Sequence, residues 1–444
     1  MSDEHPVYCL NHNELASKLT VLHDLEDLPK LLDEGFDPVA VSATLKGALG
    51  IPCLSHVSRR SKELLECLKR WALSALDPAQ EGGIVLPNVT CSIPGTTHSF
   101  TALECRCILA NAFFGNLRDS MEDYKDHLGG LSFWKMAHRH NIISVHKIAA
   151  LLQYFFSGMD LEGTCDDERV IEFCHVRGVE DIEFSILVGR SFGRSESGIL
   201  LEDESVHLHA GSMEDVTDAS AFVNFANEHF GYGEFIPSCT QEEILQVCCP
   251  EFNVGMLFVG IMEDDEVVNV YNCRRFSSYT GYLNTFRCTG PVQPQQLQVQ
   301  HILTLHACYE DHYTAETVLV DTRKAYTSFN ALADYVCRHS TANTGNSNQQ
   351  PLVSVSTGKW GCGAFGGTPS HKLLQQIVAA KLAGVKLHFS TFGTPDECDI
   401  LLKALNDSGC TVNKAWVLLC SCGNQRIFDK TVGIEKYRSS NRIS

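Results

Sequence analysis

The sequence is short of positive charge. Across 444 residues, 35 Lys and Arg stand against 54 Asp and Glu, a formal charge of −19. Broad, sequence-blind binding to nucleic acid or to an anionic membrane needs a basic footprint, and this chain lacks one; a local site for a small anion remains open. Long apolar runs are missing too. The longest nearly apolar stretch, around Phe252–Met262, falls far short of the ~20 residues needed to cross a bilayer. The first residues, Met1-Ser-Asp-Glu-His-Pro6, show neither a basic nor an apolar segment, so no signal peptide is expected. C-x-x-C is absent as well. The close cysteine pairs are Cys105/Cys107, Cys248/Cys249 and Cys420/Cys422, which do not make a zinc ribbon. Twenty cysteines without a secretory signal are expected to be free thiols in a reducing compartment.

What is present is a globular mixture, 44% hydrophobic and 20% charged, long enough for two or three domains. Up to about residue 160 the periodicity is helical. Leu103, Cys107, Ala110 and Phe114 recur at helical spacing, as do Ile148, Leu151, Leu152 and Phe155. Beyond Gly163 the pattern changes. Ile182, Phe184, Ile186 and Val188 alternate as in a half-buried strand, and two apolar runs, Met256–Met262 and Val267–Tyr271, flank Glu263-Asp-Asp-Glu266 as in a hairpin. The polar tracts Pro291–Gln300 and Arg338–Gln350 read as surface connections. A boundary is expected near Ser157–Asp167, dividing a helical segment, 1–160, from a mixed α/β segment, 161–444.

Near the end, Leu352–Val355 reads as a strand that leads into Ser356-Thr-Gly-Lys-Trp-Gly-Cys-Gly-Ala-Phe-Gly-Gly367. Thr368 and Pro369 open a helix whose apolar face is Leu373, Leu374, Ile377 and Val378; Gly384 ends it, and Leu387–Phe392 reads as the next strand. This is a βαβ unit with a parallel pair. A glycine loop ahead of a helix N-terminus suits a phosphate or diphosphate, because backbone N–H groups approach closely where no Cβ intervenes. Gly361-x-Gly363-x-x-Gly366 matches the dinucleotide fingerprint, but no acid ends the following strand and only 77 residues follow Gly367. Nicotinamide chemistry therefore fits poorly, whereas a diphosphate-containing ligand such as an ADP-ribose unit fits.

Gln241-Glu242-Glu243 offers two readings. Thr240 with Glu243 is a capping box for the helix that begins there. Adjacent acids also disfavour each other's ionisation, which keeps a carboxyl protonated for general acid catalysis of glycoside cleavage.

Taken together, Gln241-Glu-Glu243, Tyr279-Thr-Gly-Tyr282 and Gly361-Cys-Gly-Ala-Phe-Gly-Gly367 resemble, in order, three motifs of the poly(ADP-ribose) glycohydrolase family. Leu103–Asn111 is similar to that family's accessory helical domain, and the resemblance runs from about Ser99 to Phe392. It implies an α/β fold: a macrodomain-like mixed sheet with flanking helices, preceded by an α-helical accessory domain. It implies hydrolysis of ribose–ribose bonds in poly(ADP-ribose), free or on modified proteins, without cofactor or metal, and an intracellular location in nucleus or cytoplasm. By this resemblance Glu243 is the catalytic acid, Glu242 holds ribose hydroxyls, Gln241 and Asn227 position the substrate, and Tyr282 closes over the nucleotide. The loop Lys359-Trp360-Gly361-Cys362-Gly363-Ala364-Phe365 wraps the diphosphate, and Phe392 packs near the adenosine.

Three positions depart from the family pattern. Asn224 stands where Asp is usual, Tyr232 where Gly is usual, and Lys359 where Asn is common. Asn224 still donates and accepts hydrogen bonds but carries no charge. Tyr232 brings a Cβ and a ring to a close-approach position, while Lys359 adds a charge suited to a diphosphate. The intact glutamate pair favours a working hydrolase; the alternative is a poly(ADP-ribose)-binding reader impaired at Asn224 and Tyr232.

Overall fold

The computed structural model describes residues 12–32, 37–75, 92–117, 131, 133–139, 141–190, 204–231, 239–293, 299–344, 352–393 and 397–435. The first part is helical: α1 His12–Leu19, α2 Pro38–Leu49, α3 Ser55–Arg59, α4 Ser61–Ser74, α5 Ala102–Phe113 and α6 Ile142–Leu161. Thr101 starts α5 with a reciprocal cap, its Oγ1 accepting from Glu104 N and Glu104 Oε2 accepting from Thr101 N (3.1 and 2.7 Å). α6 is buried on almost every side, as a helix apolar all round must be. It has the length and composition of a membrane span, which the run-length reading of the sequence did not bring out; its place is the protein core.

The strands are β1 Thr97–Thr101, β2 Val170–Arg177, β3 Val206–His209, β4 Ala221–Ala226, β5 Glu266–Arg274, β6 Ser277–Thr280, β7 Arg287–Pro291, β8 Val299–His306, β9 Ser354–Thr357 and β10 Lys386–Ser390. Eight of them form one mixed sheet in the order β1-β2-β5-β8-β4-β9-β10-β3, and β6 pairs with β7. The run from β8 to β3 is parallel, and β1, β2 and β5 join antiparallel. The remaining helices are α7 Asp181–Arg190, α8 Gln241–Cys248, α9 Ala315–Thr344, α10 Pro369–Ala383, α11 Glu397–Asp407, α12 Val412–Ser421 and α13 Gln425–Val432.

Strand alternation divides the interior in two. Ala226, Val268, Val270 and Ile302 enter one core with α2 and α4–α6, whereas Val223, Val267, Leu303 and Leu305 enter the other with α9, α10 and α12. The expected macrodomain-like sheet with flanking helices is present.

Four local expectations are corrected. Ile182–Val188 is helical, within α7: Phe184 and Val188, four apart, are buried while Ile186 is exposed, so the alternation came from an amphipathic helix. The hairpin across 256–271 is absent, because Pro250–Leu257 is a 3₁₀ helix and only the second arm becomes a strand, β5. Arg338–Thr344 continues α9, and residues 345–350 lie outside the described residues. Pro291 ends β7 and Val299 begins β8, so the connection is shorter than its polar tract. The βαβ unit stands, with β9 and β10 parallel, though β9 begins two residues later than read.

Arg169 ties the turn after α6 to the sheet. Its guanidinium meets Asp166 at 2.8 Å and both oxygens of Glu251 at 2.6 and 3.0 Å, all largely buried. Glu251→Ala would leave that cation short of a partner, and we expect a loss of about 3–5 kcal/mol, read as a lower urea midpoint at unchanged slope.

Candidate active site

β4 and β9 pair only at Ala221 and Phe222, and then diverge. The next backbone groups of β4 go to a side chain. Gln241, the first residue of α8, accepts from Phe225 N through Oε1 (2.8 Å) and donates Nε2 to Val223 O (3.0 Å). A cavity of about 690 Å³ opens there, lined by the carboxyl ends of β4 and β9, the start of α8 and the β6–β7 connection. Asn227, Gln241, Glu242, Glu243, Tyr282, Phe392 and the whole of Lys359–Phe365 line it. Asn224 does not; it lies fully buried beneath Glu242.

The glycine loop is held from outside the cavity. Trp360, buried, donates Nε1 to Leu305 O (3.0 Å), and His312 Nε2 donates to Phe365 O (2.6 Å). Gly361 has φ +71°, and a Cβ there would meet Ala307 Cβ at 2.7 Å, so the position requires glycine. Gly363 has nothing within 4 Å of an added Cβ, since that side is the cavity. The N–H groups of Gly363, Ala364 and Phe365 have no acceptor among the described residues, which leaves three adjacent donors for a ligand. Thr368 precedes α10 in extended conformation without capping it; its hydroxyl bonds Tyr313 instead. Cys362 is no nucleophile here, because burial pushes its thiol up to about 12.

Glu242 and Glu243 start α8 and are both buried. The capping reading of Glu243 holds: its Oε2 accepts from Thr240 N (2.5 Å) and from the Thr240 hydroxyl. Its Oε1 carries no such bond. Glu242 is placed otherwise, with Oε1 accepting from Asn224 Nδ2 (3.3 Å) and Oε2 from Asn227 N (3.4 Å). Burial first, then the adjacent Glu243 charge, push the Glu242 carboxyl well above its ordinary range, and these two weak hydrogen bonds offset only part of that. Asn224 Oδ1 is buried without a donor among the described residues. Asn227 Nδ2 donates to Tyr309 OH (2.7 Å).

Aromatic rings close the far end. Tyr282 and Phe392 have centroids 5.6 Å apart with their rings tilted by 55°, both exposed. Phe392 has φ +44°, a strained value for a ring-bearing residue, held because Ser390 Oγ accepts Phe392 N (3.2 Å) and Ala210 O accepts Gly393 N (3.0 Å). Tyr309, Met213 and Glu214 are among the wall residues that sequence reasoning missed. Tyr309 stacks on Phe365 at 4.0 Å; as an aromatic residue just past a parallel strand's carboxyl end, it was detectable. Met213 and Glu214 sit in a 3₁₀ turn that no periodicity marks. Glu214 takes the Tyr279 hydroxyl at 3.3 Å and lies 3.6 Å from Arg275. Tyr232 lies outside the described residues.

Residues 62–174 match the family model for the helical domain of poly(ADP-ribose) glycohydrolase, and residues 195–399 match that for its macro domain fold. The chain belongs to the poly(ADP-ribose) glycohydrolase family. It is 30% identical to poly(ADP-ribose) glycohydrolase 1 of Caenorhabditis elegans over 45% of its length and 27% of that protein's. Glycohydrolase 2 of the same organism is 24% identical over 86% of this chain and 79% of its own. Glycohydrolase 1 of Arabidopsis thaliana is 26% identical over 53% and 55%. The chain thus spans about a quarter, four-fifths and half of these relatives.

The raised Glu242 pKa carries a stability signature. The native state holds that proton more tightly than the unfolded chain, so this contribution is fully present below the ordinary value of 4.5 and is lost as pH rises toward the native value. Glu242→Gln cannot ionise. Denaturant melts of this glycohydrolase-family chain and its variant should therefore diverge in the variant's favour as pH rises from about 4.5.

Proposed function

We propose that this chain hydrolyses ribose–ribose O-glycosidic bonds in poly(ADP-ribose), free or on modified proteins in nucleus or cytoplasm, and releases ADP-ribose. The observation that carries the reading is that one cavity is lined both by the Glu242–Glu243 pair and by three backbone donors without an acceptor among the described residues. The diphosphate takes those N–H groups at Gly363–Phe365, with the Lys359 ammonium beside them. The base lies against the Tyr282 and Phe392 rings, near Glu214, an acceptor suited to an exocyclic amine.

Both oxygens of Glu242 are engaged by Asn224 and Asn227, and their remaining lone pairs hold the ribose hydroxyls. Glu243 lines the cavity with one oxygen tied to Thr240, and we assign it the general acid: once the ribose hydroxyls donate to Glu242 and favour its ionised form, the proton that the pair holds is left on Glu243. Its proton goes to the leaving ribose oxygen as the glycosidic bond breaks. The cation at the anomeric carbon is oxocarbenium-like, and the carboxylate then formed takes a proton from the attacking water and so regains its own. Gln241 acts one step back, since both ends of its amide are spent on β4.

A second reading, a reader without turnover, draws on Asn224, whose Oδ1 finds no donor among the described residues, an imperfect fit where the family usually has Asp. Incubation with poly(ADP-ribose), followed by chromatography of released ADP-ribose, separates the two. We expect release, slowed roughly 10²–10⁴-fold by Glu243→Gln. Polymer retained in a pull-down without any release would establish the reader instead. Gly363→Ala should melt like the parent, because its Cβ meets no protein atom, while binding ADP-ribose more weakly because that Cβ stands in the cavity.

A further inference from the structure

Lys372 is the fourth residue of α10, at the end of the helix dipole where a cation is least at ease, and its side chain is completely buried. A lysine in that position needs a partner. It has Asp321 of α9, equally buried, with which it forms a direct ion pair. Burial alone would raise the Asp321 pKa; the Lys372 ammonium, with the Cys308 N–H and Lys324, outweighs this and holds it below its ordinary value. The other oxygen of Asp321 accepts from Cys308 N (3.0 Å), next to the Tyr309 ring that lies on Phe365.

The stem of Lys372 crosses the inside of the glycine loop. A Cβ on Gly361 would come within 3.2 Å of Lys372 Cε, and one on Gly367 within 2.9 Å. Those two glycines are bonded to each other, Gly367 N to Gly361 O at 2.9 Å, and the ammonium lies 5.3 Å from the Trp360 ring. Part of the loop's glycine content therefore serves a lysine rather than a ligand. A pair that merely glued α9 to α10 would place no such demand, and apolar residues could replace it at little cost.

Charge points the same way. Lys324 is also fully buried and donates to His306 Nε2 (2.8 Å), while its nearest other carboxylate, Asp264 at 3.7 Å, is 72% exposed. Burial holds His306 at about 4, uncharged near neutral pH. Lys324 thus brings a second buried amine to the cluster of Lys372 and Asp321, and although burial lowers its pKa, that cluster sets one buried carboxylate beside two lysines in a chain of net charge −19. Fixed charge in a low-dielectric setting acts further than a surface lysine would.

We propose that Lys372 is a positioning residue for the diphosphate, its stem shaping the Gly361–Gly367 loop and its buried ammonium supplying positive potential behind the N–H groups of Gly363–Phe365. This rests on the reading that the loop holds a diphosphate. Three variants test it: Lys372→Met, which keeps the stem; Asp321→Asn, which keeps the cation; and the double variant, which leaves no unpaired charge if Lys372→Met fails to fold. Each is titrated calorimetrically with ADP-ribose and with adenosine, which lacks the diphosphate.

Lys372→Met and the double variant should bind ADP-ribose roughly tenfold more weakly, with adenosine within about twofold of the parent. Asp321→Asn should keep ADP-ribose affinity within about twofold even where it melts earlier. Unchanged ADP-ribose binding in the double variant would overturn the proposal, as would equal losses for both ligands or a tenfold loss in Asp321→Asn. A parent that binds adenosine but not ADP-ribose would instead remove the diphosphate reading on which this one stands.

Discussion

The divergence of β4 from β9, and the side-chain amide that fills the gap, governs the rest of the site. A parallel sheet that stayed paired to its carboxyl edge would leave no room between the two strands. Here pairing stops at Phe222, and Gln241 takes over the hydrogen bonds that the next strand would have made. The amide thus acts as a short splice of sheet and resolves the cost of bare backbone groups in the interior. It also fixes the first turn of α8 relative to β4, so the next two residues, both glutamates, are delivered to the gap with little freedom. Changing Gln241 would disturb their aim without touching substrate.

A chain of net charge −19 that holds an anion must do it by local means. Backbone donors suit that need because they carry partial charges fixed by the fold and no long side chain to order. Binding built in this way depends less on ionic strength than a basic groove does, since few condensed counterions are released. The acids are placed accordingly. Glu242 and Glu243 line the same cavity as the loop, and burial with the adjacent charge raises the Glu242 carboxyl well above its ordinary range.

Much of the site was legible because it is built from contiguous segments with strong local rules. Pro369, Gly384 and the glycine run mark a helix start, a helix end and a loop, and all three stand in the structure. Glu243 is the instructive case, since the capping reading does not exclude a place in the cavity: one oxygen caps the helix, and the residue lines the cavity wall. What could not be read came from tertiary context. Phe184 and Val188 satisfy both a two-residue and a four-residue spacing, and only the packing of α7 against α12 decides between them. Glu214 and Tyr309 reach the cavity from turns whose positions depend on distant strands. Nothing in the sequence singles out Lys372, because burial against Asp321 has no local signature.

The placement of β1 bears on how the chain can be divided. β1 comes from the helical part, yet it pairs along β2 from Thr97–Cys174 to Thr101–Val170 and forms the sheet's outer strand. A fragment that began after α6 would expose β2 as a bare edge, with a row of unsatisfied amides and carbonyls ready to recruit another chain. The helical segment is therefore also a supplier of sheet, and a cut after α6 would strip five residues of pairing from β2.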